Sequence, residues 1–92
     1  MNLAAEPITD YIISAHAAIE IKRRELSAET IDGVLKRPEQ QVEVRAGRVV
    51  LQSQVQESGS EYLVRVFVDV DRNPAEVVTA YRTSKVLKYW RV

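Results

Sequence analysis

Two periodicities divide the chain near residue 40. Beyond it, apolar and polar residues alternate. Val42 and Val44 alternate with Glu43 and Arg45, and Val49, Leu51 and Val55 with Arg48, Gln52 and Gln54. Period two marks a half-buried strand. Tyr62, Val64, Val66, Val68 and Val70 make one fully apolar face of a third strand, whose other face carries Leu63, Arg65, Phe67 and Asp69. Ala46-Gly47 and Glu57-Ser58-Gly59-Ser60 have turn chemistry, so hairpins and antiparallel pairing are expected between these strands. After a loop at Asp71-Arg72-Asn73-Pro74, the run Val77-Val78-Thr79 with Tyr81 and Thr83 predicts a fourth strand.

Before residue 40 the spacing is helical. Ile8, Ile12, Ala15, Ile19 and Leu26 fall on one stripe, predicting a first helix over about 8–25, with Pro7 suited to its first turn. Tyr11-Ile12-Ile13 also has strand propensity, and Ser14 would serve as the N-cap of a shorter helix. Ser27 is an N-cap for a second helix over about 28–37, with Glu29 in its first turn and Pro38 as its stop. Residues 1–6 are expected to fray. The order helix, helix and four strands predicts an α+β fold: an N-terminal helical hairpin packed on a curved, mainly antiparallel four-stranded sheet. The helices are the only cover for the apolar face. The second face, open to solvent, would then display Arg45, Gln52, Gln54, Arg65 and either Thr79 or Tyr81, if the unread register puts one of them there.

Composition narrows the chemistry. At 92 residues and 46% hydrophobic the chain suits one small domain. It has no cysteine and one histidine, which removes thiolate chemistry, disulfides and His or Cys metal clusters. No cofactor is expected. There is no apolar run of membrane-span length and no basic leader, so a cytoplasmic protein without membrane contact is expected, as monomer or homodimer. The 13 Lys and Arg balance 13 Asp and Glu. Attraction of anions must therefore be local. Residues 56–76 are mainly acidic, whereas the stretch from Val77 onward has no acid and carries Arg82, Lys85, Lys88 and Arg91 beside Tyr81, Tyr89 and Trp90. That cationic, aromatic stretch is either an anion-binding surface or a packed tail anchor. His16, the one histidine, is a candidate general base, or a histidine that merely packs. Arg65, on the mixed face of a Val-rich strand, is a candidate anion ligand or half of a salt bridge.

Several of these residues together resemble a known pattern. Ser14-Ala15-His16-Ala17, Arg24, Leu26-Ser27 and Pro38-Glu39 are followed by Val78-Thr79-Ala80-Tyr81-Arg82-Thr83-Ser84-Lys85 and Lys88-Tyr89-Trp90. This series resembles a bacterial family of small domains related to the RelE/ParE toxins, in the barnase–EndoU–colicin–RelE group. Glu20 and Glu25 stand where that family often has Arg and Gly. The resemblance implies the same helical hairpin on a curved sheet, and toxin-like ribonuclease activity without a metal. The ribose 2′-OH would attack the adjacent phosphate. His16 would take the proton, Arg24, Arg65 or Lys85 would neutralise the phosphorane, and Tyr81 would donate a hydrogen bond. Thr79, Arg82, Thr83, Lys85 and Lys88 would bind the substrate. The implied partners are RNA and an antitoxin-like protein. The alternative on the same fold is a non-catalytic protein-interaction module, antitoxin-binding or self-associating.

Overall fold

Both serines predicted as helix caps are caps in the computed structural model, which describes residues 5–92. The Ser14 side chain accepts from the Ala17 N–H and opens α1 (Ala15–Arg23); Ser27 accepts from the Thr30 N–H and opens α2 (Ala28–Lys36). Each satisfies an N–H that the helix leaves without a partner. Ahead of α1, β1 (Tyr11–Ile13) is a short strand. After α2 come β2 (Gln40–Arg45), β3 (Arg48–Glu57), β4 (Ser60–Asp69) and β5 (Ala75–Thr83), then a single turn, α3 (Val86–Tyr89).

Among the described residues the sheet has five strands in the order β1-β5-β4-β3-β2, antiparallel except that β1 lies parallel to β5. The α+β class and the antiparallel hairpins agree with the sequence reading, while the fifth strand corrects it. The expected helix over 8–25 splits at Ser14. Tyr11-Ile12-Ile13 pairs with Ala75-Glu76-Val77 instead, following its β-branched propensity. Of the expected frayed end, residues 1–4 lie outside the described residues; the Glu6 N–H donates to the Gln41 side chain.

Between α1 and α2 the backbone reverses through Glu25 at φ 58°, the left-handed position that glycine favours after a helix. The Leu26 N–H reaches back to the Ile21 carbonyl and closes the helix end. Ser58 and Gly59, at φ 51° and 80°, form the two-residue β3–β4 hairpin turn predicted for them.

The helices cover one face of the sheet. Ala17, Ile21, Leu26, Ile31, Val34 and Leu35 meet Val49, Leu51, Val64, Val66, Val68, Val77 and Ala80 in one core. The pattern predicted Val42 and Val44 on this side, but Val42 pairs with Val50, which points to the second face, and Val44 is half exposed. Val70 lies beyond the end of β4 and is also exposed. Among the described residues no helix is long and apolar enough to cross a membrane.

The second face is not open as expected. The segment after β5 leaves the sheet at Ser84, turns through α3 and lies across it. The Tyr89 carbonyl accepts from Gln52, and both the N–H and the carbonyl of Arg91 bond to the Gln40 carboxamide. Gln52 is fully buried in consequence. Tyr89 is therefore an anchor, and the last strand ends at Thr83, the final residue of the predicted alternation.

A side-chain hydrogen bond fastens the added strand to α2. The Tyr11 hydroxyl donates to Asp32 on α2 at 2.7 Å, and Asp32 also pairs with Lys36 at 2.8 Å. Burial, then the Asp32 carboxylate, pushes the Tyr11 phenol up to about 12. A phenol raised in the fold stabilises it fully below its unfolded value near 10, and that stabilisation is lost as pH climbs toward 12. Tyr11→Phe should cost about 1 kcal/mol at neutral pH in denaturant titrations. The gap between the two proteins should close as pH rises from about 10 to 12; a gap constant over that window would contradict the assignment.

Candidate functional site

The strand register aligns four polar residues in one row across the second face. Gln40 pairs with Gln52, Gln52 with Arg65, and Arg65 with Tyr81. Paired residues point to the same face, so their side chains form a chain of hydrogen bonds. Gln52 donates to Gln40 at 2.8 Å and accepts from Arg65 Nε at 2.8 Å, while Arg65 also donates to the Tyr81 hydroxyl at 2.8 Å. Every acceptor of Arg65 here is neutral. Among the described residues it makes no ion pair with a carboxylate.

Aromatic rings supply the rest of its environment. The Arg65 guanidinium carbon lies 4.3 Å from the Tyr89 ring centroid, 5.4 Å from Phe67 and 5.8 Å from Tyr81. Ring faces attract a cation, and a desolvated contact of this kind is worth about 2 kcal/mol. Phe67 stacks on Tyr81, and Tyr81 meets Tyr89 edge-on. A hydrogen bond from Tyr81, together with the charges of Lys88 and Arg65, outweighs desolvation and holds the Tyr89 phenol below its usual value. Exposed Lys88 lies 5.3 Å from the Tyr89 ring. The result is a half-buried cation with its charge intact, two phenols beside it and a lysine at the rim.

The His16 group forms at the edge of β5, where α1 packs. His16, Glu20 and Arg24 stand at four-residue spacing on one face of the helix. His16 Nε2 is 3.5 Å from Glu20, and the imidazole is exposed. Thr79 donates to Glu20 at 2.7 Å and accepts from Arg24 at 3.2 Å. Arg24 also donates to the Ala80 carbonyl at 2.8 Å, capping the strand edge. The Thr79 bond is the chief cause that lowers the Glu20 carboxyl, with Arg24 and His16 adding to it. Helix and strand, remote in sequence, thus meet through Thr79.

The sequence left the face of Thr79 and Tyr81 unresolved. Thr79 pairs with Phe67 and Tyr81 with Arg65, so the two share a face with Arg65. They lie about 7 Å apart along the strand. The candidates therefore gather in two adjoining groups, His16, Arg24 and Thr79 in one, Arg65 and Tyr81 in the other. Lys88 borders the second group through the Tyr89 ring, and the other binding candidates separate from both. Arg82 registers with the core residue Val64, on the helix-covered side, and pairs with Glu57 at 3.0 Å. The Thr83 hydroxyl caps the Lys85 N–H at 3.0 Å, and exposed Lys85 lies beyond the strand.

Gln40, Gln52, Phe67 and Tyr89 were not singled out as site residues. Counting outward from the Ser58-Gly59 turn pairs Gln52 with Arg65, which was a usable signal. The shift in the β2 register hides Gln40 from the same count, and the long β4–β5 connection hides Tyr81. Among the described residues no group of three His, Cys, Asp or Glu is placed to hold a metal ion. No family model, no curated protein and no solved structure matches the chain.

The Tyr89 phenol provides a direct readout of the row. In a tyrosine titration by NMR or by absorbance near 295 nm, Tyr89 should ionise before Tyr11. Tyr81→Phe should move Tyr89 back toward about 10; an unmoved Tyr89 would show that Tyr81 does not hydrogen-bond it.

Proposed function

We propose that this chain is a toxin-like ribonuclease domain of the RelE/ParE kind, cleaving single-stranded RNA by attack of a ribose 2′-OH on the adjacent phosphate. The observation that carries the reading is Arg65, a guanidinium held by neutral acceptors and aromatic rings with no carboxylate to cancel its charge. Such a cation retains its attraction for a phosphodiester, and Lys88 at the rim adds to it. Phe67, Tyr81 and Tyr89 offer aromatic surface for unpaired bases, a combination suited to single strands.

The chemistry is divided between the two groups of residues. His16 accepts the 2′-OH proton, with Glu20 beside it to stabilise the imidazolium. The 2′ oxygen then bonds to phosphorus as the bond to the 5′ oxygen breaks, and the departing 5′ oxygen takes a proton from water. Arg65 and Lys88 oppose the charge gathering on the non-bridging oxygens, and Tyr81 orients Arg65. Arg24 positions Thr79 and Glu20 in this scheme. The products are a 2′,3′-cyclic phosphate and a 5′-hydroxyl end.

The test is incubation of the protein with mixed-sequence single-stranded RNA in EDTA. The native chain should leave cyclic-phosphate ends. His16→Ala should slow cleavage by about 10²–10⁴-fold, the usual contribution of a general base. Arg65→Ala should bind RNA more weakly and with a shallower salt dependence. Cleavage equal in all three proteins would remove both residues from the reaction, and no cleavage on either free or ribosome-bound RNA would overturn the reading.

A further inference from the structure

The helix-covered side contains an unfinished edge. β2 begins at Gln40, which pairs with Gln52, so among the described residues β3 has no neighbouring strand beyond Gln52 on that edge. The Gln52 carbonyl on this edge is met by the Glu39 N–H. The next N–H, of Gln54, donates to the Glu39 carboxylate at 2.6 Å. Backbone direction alternates along a strand, so the Gln54 carbonyl and both groups of Gln56 face the same open side. Among the described residues nothing hydrogen-bonds them from that side. The Glu39 side chain stands where a partner strand would place its carbonyl.

Beside this edge runs a groove of about 400 Å³ between α2 and β3. Thr30, Gly33, Val34 and Arg37 form its helix wall at i, i+3, i+4 and i+7, and Val55 forms its floor. A smaller hollow continues it past Thr30 and Val55 toward Glu25 and Glu57. Gly33 lies within α2, where glycine weakens a helix, yet a side chain there would meet nothing within 4 Å. The absent side chain keeps the groove open.

We infer that the free edge of β3 at Gln54–Gln56 receives an extended peptide strand from a basic protein partner. The strand continues the line of β2, antiparallel to β3, and adds to the sheet through main-chain bonds. Its groove-facing residues alternate with those facing away. The middle one is apolar, over Val34 and Val55. Those flanking it are cationic, because Glu39 lies toward one end of the groove and Glu25 toward the other, beside Glu57 in its pair with Arg82, while Arg37 is the cation on the groove wall itself. A second copy of the chain is disfavoured as occupant, since its own β3 edge would set Glu57 and Glu39 against their equivalents. The inference is independent of the ribonuclease reading, which concerns the opposite face.

The probe is the capped peptide Lys-Thr-Val-Thr-Lys, titrated into the full chain and followed by backbone amide NMR. The Gln54 and Gln56 amides should shift and exchange with solvent at least about tenfold more slowly. In this register the threonine N–H groups face β3 and the valine N–H faces away. Methylating the threonine nitrogens should weaken binding at least about tenfold, while methylating the valine nitrogen should leave it within about twofold. The Glu-Thr-Val-Thr-Glu peptide should bind about tenfold more weakly than the lysine version. Gly33→Phe, which fills the groove from a position with room for it, should block binding while amide spectra report an intact fold. Equal binding of both methylated peptides, binding unaffected by Gly33→Phe, shifts centred elsewhere, or no saturable binding would each overturn the inference. So would a homodimer of the native chain formed through this edge.

Discussion

The second face of the sheet depends on how one guanidinium is solvated. Arg65 projects from the Val-rich β4 into a layer that water only partly reaches. Isolated there, it would incur a large desolvation cost. A carboxylate would offset that cost and cancel the charge. Here the compensation comes from the Gln52 carboxamide, the Tyr81 hydroxyl and three ring faces, so the charge survives. Gln52 cannot serve Arg65 alone, because its buried amide nitrogen needs acceptors. It finds them in Gln40 and the Tyr89 carbonyl. Gln40 in turn binds both backbone groups of Arg91. The segment after β5 is held across the sheet by the same amides that orient Arg65, and it brings Tyr89 over the guanidinium.

The two faces consequently rest on different physics. The helix side is held by burial of valine, isoleucine and leucine, which is strong but non-directional. The other side is held by hydrogen bonds whose geometry fixes positions, and partial satisfaction would be costly. Among the described residues no buried side-chain polar atom lacks a partner. Thr79 joins this layer to α1, because its hydroxyl is shared between Glu20 and Arg24 at the strand edge. The helix turn that carries His16 is thereby fixed relative to β5.

Much of this frame was legible in the sequence. Ser14, Ser27, Gly47 and Ser58-Gly59 act locally, and local chemistry is readable one residue at a time. The alternation of valines placed the core face of β3 and β4 for the same reason. β1 was overlooked because Ile12 also continues the helical stripe from Ile8 to Ile19, and only the tertiary partner β5 decides between the two. The second face was misjudged as open because its cover is a segment without the periodicity of strand or long helix. Of the candidate site residues, Arg65 and Tyr81 meet, and Arg24 meets Thr79. The first pairing depends on a β4–β5 register that is shifted between Phe67 and Val68 and set across a long connection, and the second on where α1 meets the edge of β5. Arg82 was grouped with Tyr81 by adjacency, yet successive strand residues point to opposite faces.

The Arg65 Nε–H signal in a nitrogen-edited NMR spectrum tests the central claim most directly. In the native chain, with Nε bonded to the Gln52 carboxamide under the Tyr89 ring, this proton should be resolved, ring-shifted and slow to exchange, with cross-peaks to Tyr89. Gln52→Ala should broaden it into solvent exchange and release the Tyr89 cross-peaks, because one amide holds both. A resolved Arg65 signal and an unchanged Tyr89 contact in Gln52→Ala would contradict the account.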